Sequence, residues 1–327
     1  VGESHPKGEP APLGERLGDG AQIPQKGHEI ASLHRERQAS GVEPGDVVAL
    51  PPTAPIMTIL PIVTLLLMAV HQVTWVEGSS VWTFVGLENF RALAGDNLFR
   101  AGIVNTLIFA FVAVGAQMVI GFFLALLVSD VNLGKTVYRT IFLLPILVPG
   151  IVIGAIWKLM YNFDFGIINQ TLGAIGIGPQ NWLGEPALAL ASIIVVDIWH
   201  WTPFCFLLLL AGLQSLPQDI FEAARVDGAT AWQRLRYVTL PLMIPTIVVT
   251  FVFRTILAFK VFDEIFLLTG GGPGTSTEVL SFTIYRRFFT EDRVGYGSAM
   301  SLATFLGVAL IIIIAMNLSR RRGAAAV

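Results

Sequence analysis

Charge and cysteine are the scarce features of this sequence. Only 13% of its 327 residues are Asp, Glu, Lys or Arg, the formal net charge is -2, and Cys205 is the single cysteine. One thiol excludes an internal disulfide framework and a thiolate metal centre, so Cys205, set in an apolar run, reads as a small buried hydrophobe. Without a clustered basic face there is no electrostatic footprint for nucleic acid. The histidines do not take His-Glu-x-x-His spacing, no Gly-x-Ser-x-Gly occurs, and no glycine loop is followed by Lys-Ser/Thr. Those gaps leave metallopeptidase, serine-hydrolase and nucleotide-hydrolysing chemistry unsupported, and the chain reads as a non-enzyme.

Apolar side chains are abundant, at 54% of residues, and they gather in long blocks. Charge-free blocks near the roughly 20 residues that a helix needs to cross a bilayer predict an all-α integral membrane protein with six spans. The spans are expected at about 55–76, 102–128, 140–160, 187–213, 238–262 and 295–319. Pro61 does not veto the first, because neighbouring helices can satisfy a freed carbonyl in lipid. The third carries Pro145, Pro149 and Gly150, which predicts a bent or broken helix. Residues 1–53, rich in Gly, Pro and charge, are expected to form a mostly irregular tail rather than a signal peptide, and 320–327 a short one. Lys and Arg number thirteen on the side shared by both termini against five on the other, which puts both termini in the cytoplasm. Two exported segments, 161–186 and 263–293, are long enough to be docking surfaces. The glycine run Thr269 to Gly274 in the second reads as a tight turn.

The loop at 215–240 is the most informative stretch. Pro217 suits a first helical turn, Asp219 and Glu222 complement the positive end of a helix dipole, and Asp227-Gly228 stops the helix. A second short helix is expected from Thr230. Phe221, Val226, Trp232 and Leu235 are large apolar groups on a loop that faces water. On residue physics alone they either pack against their own membrane helices or dock into a partner.

The string Glu222-Ala223-Ala224, then Asp227-Gly228-Ala229, then Leu240-Pro241 resembles the EAA loop of ABC-importer permeases. Phe262-Asp263, Leu268 to Pro273, Gly86 to Phe90 and Asn105-Thr106 are similar to the carbohydrate-uptake branch, over roughly residues 56–320. The extra N-terminal helices and large exported insertion of the larger maltose-permease subunit are missing. The resemblance implies the type I importer permease fold in the inner membrane, with Glu222, Ala223, Ala224, Asp227, Gly228, Leu240 and Pro241 coupling to an ATPase. It implies a second homologous permease subunit, two ATPase subunits that carry ATP and Mg, a solute-binding protein and a carbohydrate substrate, with no cofactor on this chain.

Ionisable residues within a span are costly, so Asp197, His200 and Arg254 are expected to face the bundle interior, while Lys260 lies close enough to a helix end to reach the interface. By the resemblance, Trp199 to Pro203 matches the substrate-holding Trp-x-x-x-Pro segment. Asp197, His200, Trp201 and Phe204 then fall on pocket positions, faced by Arg254, Ala258 and Val261. On that alignment His200 and Arg254 favour an acidic or oligomeric saccharide. The rival reading is a secondary transporter of a small polar solute with no ATPase partner, which would need no docking loop and commonly shows internal repeats; no clear repeat is seen.

Overall fold

In lipid every backbone polar group must be satisfied within its own segment, so long apolar runs fold as helices. The computed structural model describes residues 54–129 and 135–324. The chain forms two compact units, 1–59 and 60–327, and the described part of the first is the opening of one helix. That helix is α1 (Ala54–Ala69); β1 (His71–Val76) and β2 (Ser79–Phe84) follow it as a hairpin, then the short α2 (Glu88–Gly95). Next come α3 (Asn97–Ser129), α4 (Lys135–Leu147), α5 (Gly150–Met160), α6 (Ile167–Ala174) and α7 (Pro186–Gln214). The second half holds α8 (Gln218–Val226), α9 (Ala231–Arg234), a π-helical turn (Leu235–Thr239) and α10 (Leu240–Phe259). It closes with α11 (Asp263–Leu268), α12 (Leu280–Tyr285), a second π-helical turn (Arg286–Thr290) and α13 (Val294–Ala324).

Among the described residues, four helical stretches are long and apolar enough to cross a membrane unaided: Asn97–Ser129, Pro186–Gln214, Ala231–Leu268 and Val294–Ile314. Ile59–Ala69 and Gly150–Met160 are shorter apolar helices.

Several expected boundaries are corrected. The first helix ends at Ala69 instead of 76, because Glu77 and Gly78 take positive φ (50° and 81°) and fold the β-branched and aromatic residues on either side into a hairpin. The third segment begins at Lys135 instead of 140, and it is broken, as its prolines predict, into two helices parted at Val148 and Pro149. A proline cannot donate to the preceding turn, and here it heads a new helix instead. The second span starts at Asn97, five residues early, where Asp96 caps it. The last helix runs through Ala324, so most of the expected 320–327 tail continues the helix. The expected tail 1–53 lies outside the described residues.

The core is built around α7, the most buried of the long helices. Its Cys205 and Phe206 lie against Gly121 of α3, where an added Cβ would come within 2.9 Å of the Phe206 amide nitrogen. Only glycine permits that approach. Close backbone contact of this kind drives helix association in membranes, where lipid is as apolar as leucine.

Asp96 gathers three elements at one end of the bundle. Its Oδ1 accepts the backbone N–H of Leu98 (2.8 Å) and Phe99 (3.2 Å), capping α3. Its Oδ2 accepts from Arg287 Nη2 (2.9 Å) and from the hydroxyl of Tyr296 on α13 (2.8 Å). Burial alone would raise this carboxyl. Hydrogen bonds from Tyr296, Phe99 and Leu98 and the charge of Arg287 outweigh that, and hold it below the usual carboxylate value. A carboxyl depressed in the folded state stabilises above its unfolded pKa and loses that contribution as the pH falls through its folded one. Asp96→Ala should therefore cost roughly 2–3 kcal/mol at neutral pH. Thermal unfolding in detergent should show the gap between variant and wild type closing as the pH drops below about 4.

Candidate functional site

The charges that the sequence places inside the spans meet one another. Asp197 on α7 and Arg254 on α10 are 1% and 0% exposed, and Arg254 Nη2 donates to Asp197 Oδ2. Gln117 on α3, also fully buried, closes the set. Its Oε1 accepts from Arg254 Nε at 2.6 Å, and its Nε2 donates to Asp197 Oδ2 (2.8 Å) and to the Asp197 carbonyl (2.9 Å). Three helices are thus tied at one point. The Arg254 guanidinium also lies 5.1 Å from the centre of the Trp201 ring, a favourable cation–π placement. A second buried contact joins His200 Nδ1 to Glu264 Oε1 of α11 at 3.1 Å.

Beside these groups lies a cleft of about 220 Å³. Asp197, His200, Trp201 and Val261 line it, as do Lys260, Asp263 and Glu264. The remaining expected pathway residues lie elsewhere. Arg254 sits one layer behind, Ala258 belongs to the apolar core, and Phe204 meets Trp201 edge-on, 6.1 Å between ring centres. Two wider recesses, of about 350 and 370 Å³, are walled almost entirely by apolar side chains such as Phe142, Phe206, Phe122 and Ile247. Only the smallest of the three presents charged groups.

Gln117 and Glu264 escaped the reading of the sequence. Gln117 is neutral, so a search for charges passes over it, although an amide within an apolar run is itself a signal of interhelical bonding. Glu264 falls two residues beyond the expected end of its span, within the segment expected to be an exported loop. That loop's glycine run is a turn, with Gly270, Gly271 and Gly274 at positive φ. It is pinned to α3 by Asn105 Nδ2, which donates to the carbonyls of Thr275 and Glu278 (both 2.8 Å).

At the other end of α7 the 215–240 loop folds as two short helices. Pro217 precedes α8, and Gly228 ends it at φ +74°, its N–H bonded to the Arg225 carbonyl. Thr230 caps α9: its Oγ1 accepts the Gln233 N–H (3.3 Å) while Gln233 Oε1 accepts the Thr230 N–H (2.8 Å). Glu222, Ala223, Asp227 and Gly228 are exposed, Ala224 and Leu240 are half-buried, and Pro241 stands exposed in the first turn of α10. Val226 and Trp232 are 88% and 67% exposed, so packing onto the chain's own helices does not account for them. Phe221 and Leu235 are half-buried.

A sequence profile of the binding-protein-dependent transport system inner membrane components matches residues 117–323. The chain belongs to that family. It is similar to the trehalose/maltose transport system permease protein MalF of Thermococcus litoralis, with 39% identity over 268 residues, 82% of this chain and 90% of that protein. The trehalose transport system permease protein SugA of Mycobacterium tuberculosis is 37% identical over 72% of this chain and 75% of its own. Among solved structures, a bacterial ABC transporter involved in the import of the acidic polysaccharide alginate superposes with a TM-score of 0.70 at 25% identity. The match covers 90% of this chain and 99% of that one. The fold is the mostly helical fold of type I importer permeases. A permease of this family is the membrane component of an importer, and ATP is hydrolysed by partner ATPase subunits.

Two outcomes follow for the permease. Gln117→Leu leaves Arg254 and Asp197 each short of a buried partner, so it should destabilise the protein by about 1–3 kcal/mol in thermal unfolding. Gly228→Ala meets no atom within 4 Å, so its penalty comes from the backbone angle alone. That penalty is about 1 kcal/mol, and Gly228→Val should be worse. Both are expected to insert normally and to lower the thermal unfolding midpoint, Val more than Ala.

Proposed function

We propose that this permease forms one half of the membrane channel of a saccharide importer. A solute-binding protein delivers a sugar or oligosaccharide, a second homologous permease completes the pathway, and two ATPase subunits holding ATP and Mg drive it. The 215–240 loop is the EAA coupling loop, its exposed Val226 and Trp232 seating in an ATPase cleft, and both termini are cytoplasmic. Relatives named for trehalose, maltose and starch degradation products support the cargo class. So does the likeness to an alginate importer solved with its pentasaccharide-bound periplasmic protein.

The cleft carries the reading. The ring of Trp201 offers a flat apolar face, while Asp263 and Lys260 offer acceptors and a donor for hydroxyls. A volume of about 220 Å³ falls below the ~300–1,000 Å³ typical of a complete small-ligand pocket. That shortfall suits a half-site whose other wall belongs to the second permease. The two residues offered from sequence for an acidic cargo are both committed within the protein, Arg254 to Asp197 and His200 to Glu264. The proposal is accordingly for a neutral saccharide.

The assembled importer in proteoliposomes tests it. Trp201→Ala should cut uptake of trehalose or maltose about tenfold, equivalent to ~1.4 kcal/mol of lost contact, with basal ATPase activity retained. Unchanged uptake, or transport of alginate oligosaccharides in preference to neutral sugars, would count against the proposal.

A further inference from the structure

The hairpin that replaces the end of the first expected helix has no role in the pathway or the coupling loop. Its register pairs His71 with Phe84, Val73 with Trp82 and Trp75 with Ser80, which puts two tryptophans, a phenylalanine and a histidine on one face. His71 packs edge-on against Trp82 and Phe84, at 5.8 and 5.3 Å between ring centres, and Val73 is buried on the same face. Yet Trp75 is 57% and Phe84 71% exposed. The other face mixes Gln72, Thr74, Ser79 and Thr83 with Val76 and Val81. Within residues 54–87 the single charge is Glu77, and it sits in the turn at the tip.

The base of the hairpin is held rigidly to the end of α1. Asn89 Nδ2 donates to the carbonyls of Ala69 (3.0 Å) and His71 (3.2 Å), His71 Nδ1 hydrogen-bonds the Leu67 carbonyl (2.7 Å), and Gly295 of α13 abuts the His71 carbonyl. The aromatic face thus continues directly from a helix whose Leu60, Val63 and Leu67 are exposed. A two-stranded sheet has two open edges. Open edges cannot lie in hydrocarbon, where their N–H and C=O groups would go unpaired. An aromatic face of this size is equally out of place in water. One environment meets both demands, the headgroup layer where indole rings concentrate.

We propose that the β1–β2 hairpin is an interfacial anchor, its Trp75, Trp82 and Phe84 face seated in the lipid headgroup layer where α1 leaves the bilayer. Its occupant is lipid, and the tip with Glu77 points into water.

The full chain in phosphatidylcholine nanodiscs provides the test, comparing wild type with Trp75→Phe, Trp82→Phe and the double variant. The two single variants report each ring separately should the double one fail to insert. The fluorescence lost with the two tryptophans should be quenched strongly by lipid brominated next to the headgroup. Bromines at the chain ends should quench it less, and aqueous iodide little. Strong iodide quenching without bromine quenching would place the face in water, open to a soluble partner, and overturn the anchor. Insensitivity to both would mean that protein covers it, and stronger quenching by the deep bromines would place it in hydrocarbon; either result also overturns the proposal.

Discussion

A carboxylate and a guanidinium can share the interior of a membrane protein only if each neutralises the other. Stripping either of water costs several kcal/mol, and removing one partner from a buried pair typically costs about 3–5 kcal/mol. Asp197 and Arg254 meet that condition, and Gln117 takes up the Nε donor and the carboxylate lone pairs that the pair alone leaves unfilled. Because the three residues come from α3, α7 and α10, their bonds set how those helices sit together. The cleft beside them exists in the shape it has because α7 is held there.

The cleft in turn depends on which groups are already spent. Arg254 and His200, read singly, look like cations waiting for an anion. Their partners turn both into parts of the frame, and the cleft is lined beside them by Trp201, Lys260 and Asp263.

Hydropathy and charge made the long spans legible, because α3, α7, α10 and α13 each carry an apolar run that only a helix satisfies in lipid. The 215–240 loop was legible for a different reason: Pro217, Gly228 and Thr230 each have one good place in a helix–turn–helix, and the sequence puts them there. The hairpin was missed because residues 70–76 prolong the charge-free run of the helix before them, and a charge-free length does not distinguish strand from helix. Glu77-Gly78 was the available signal. The partners of Asp197 and His200 were not legible, since Gln117 lies 80 residues and Glu264 64 residues away from them. Only packing brings such residues together.

The π-helical turn at Leu235–Thr239 joins α9 to α10 without a break, so helix runs continuously from Ala231 to Phe259. There is no slack linker between the surface bearing Trp232 and the interior position of Arg254. From Leu235 to Arg254 the span is nineteen residues, about 28 Å at helical rise. A helix of that length is a stiff rod, though its hydrogen-bond ladder lacks the donors of Pro241 and Pro245. The extra residue per turn in the π segment also sets the rotational phase of that rod. Inserting or deleting one residue between the loop and Arg254 would turn the guanidinium by about 100° without altering a single side chain.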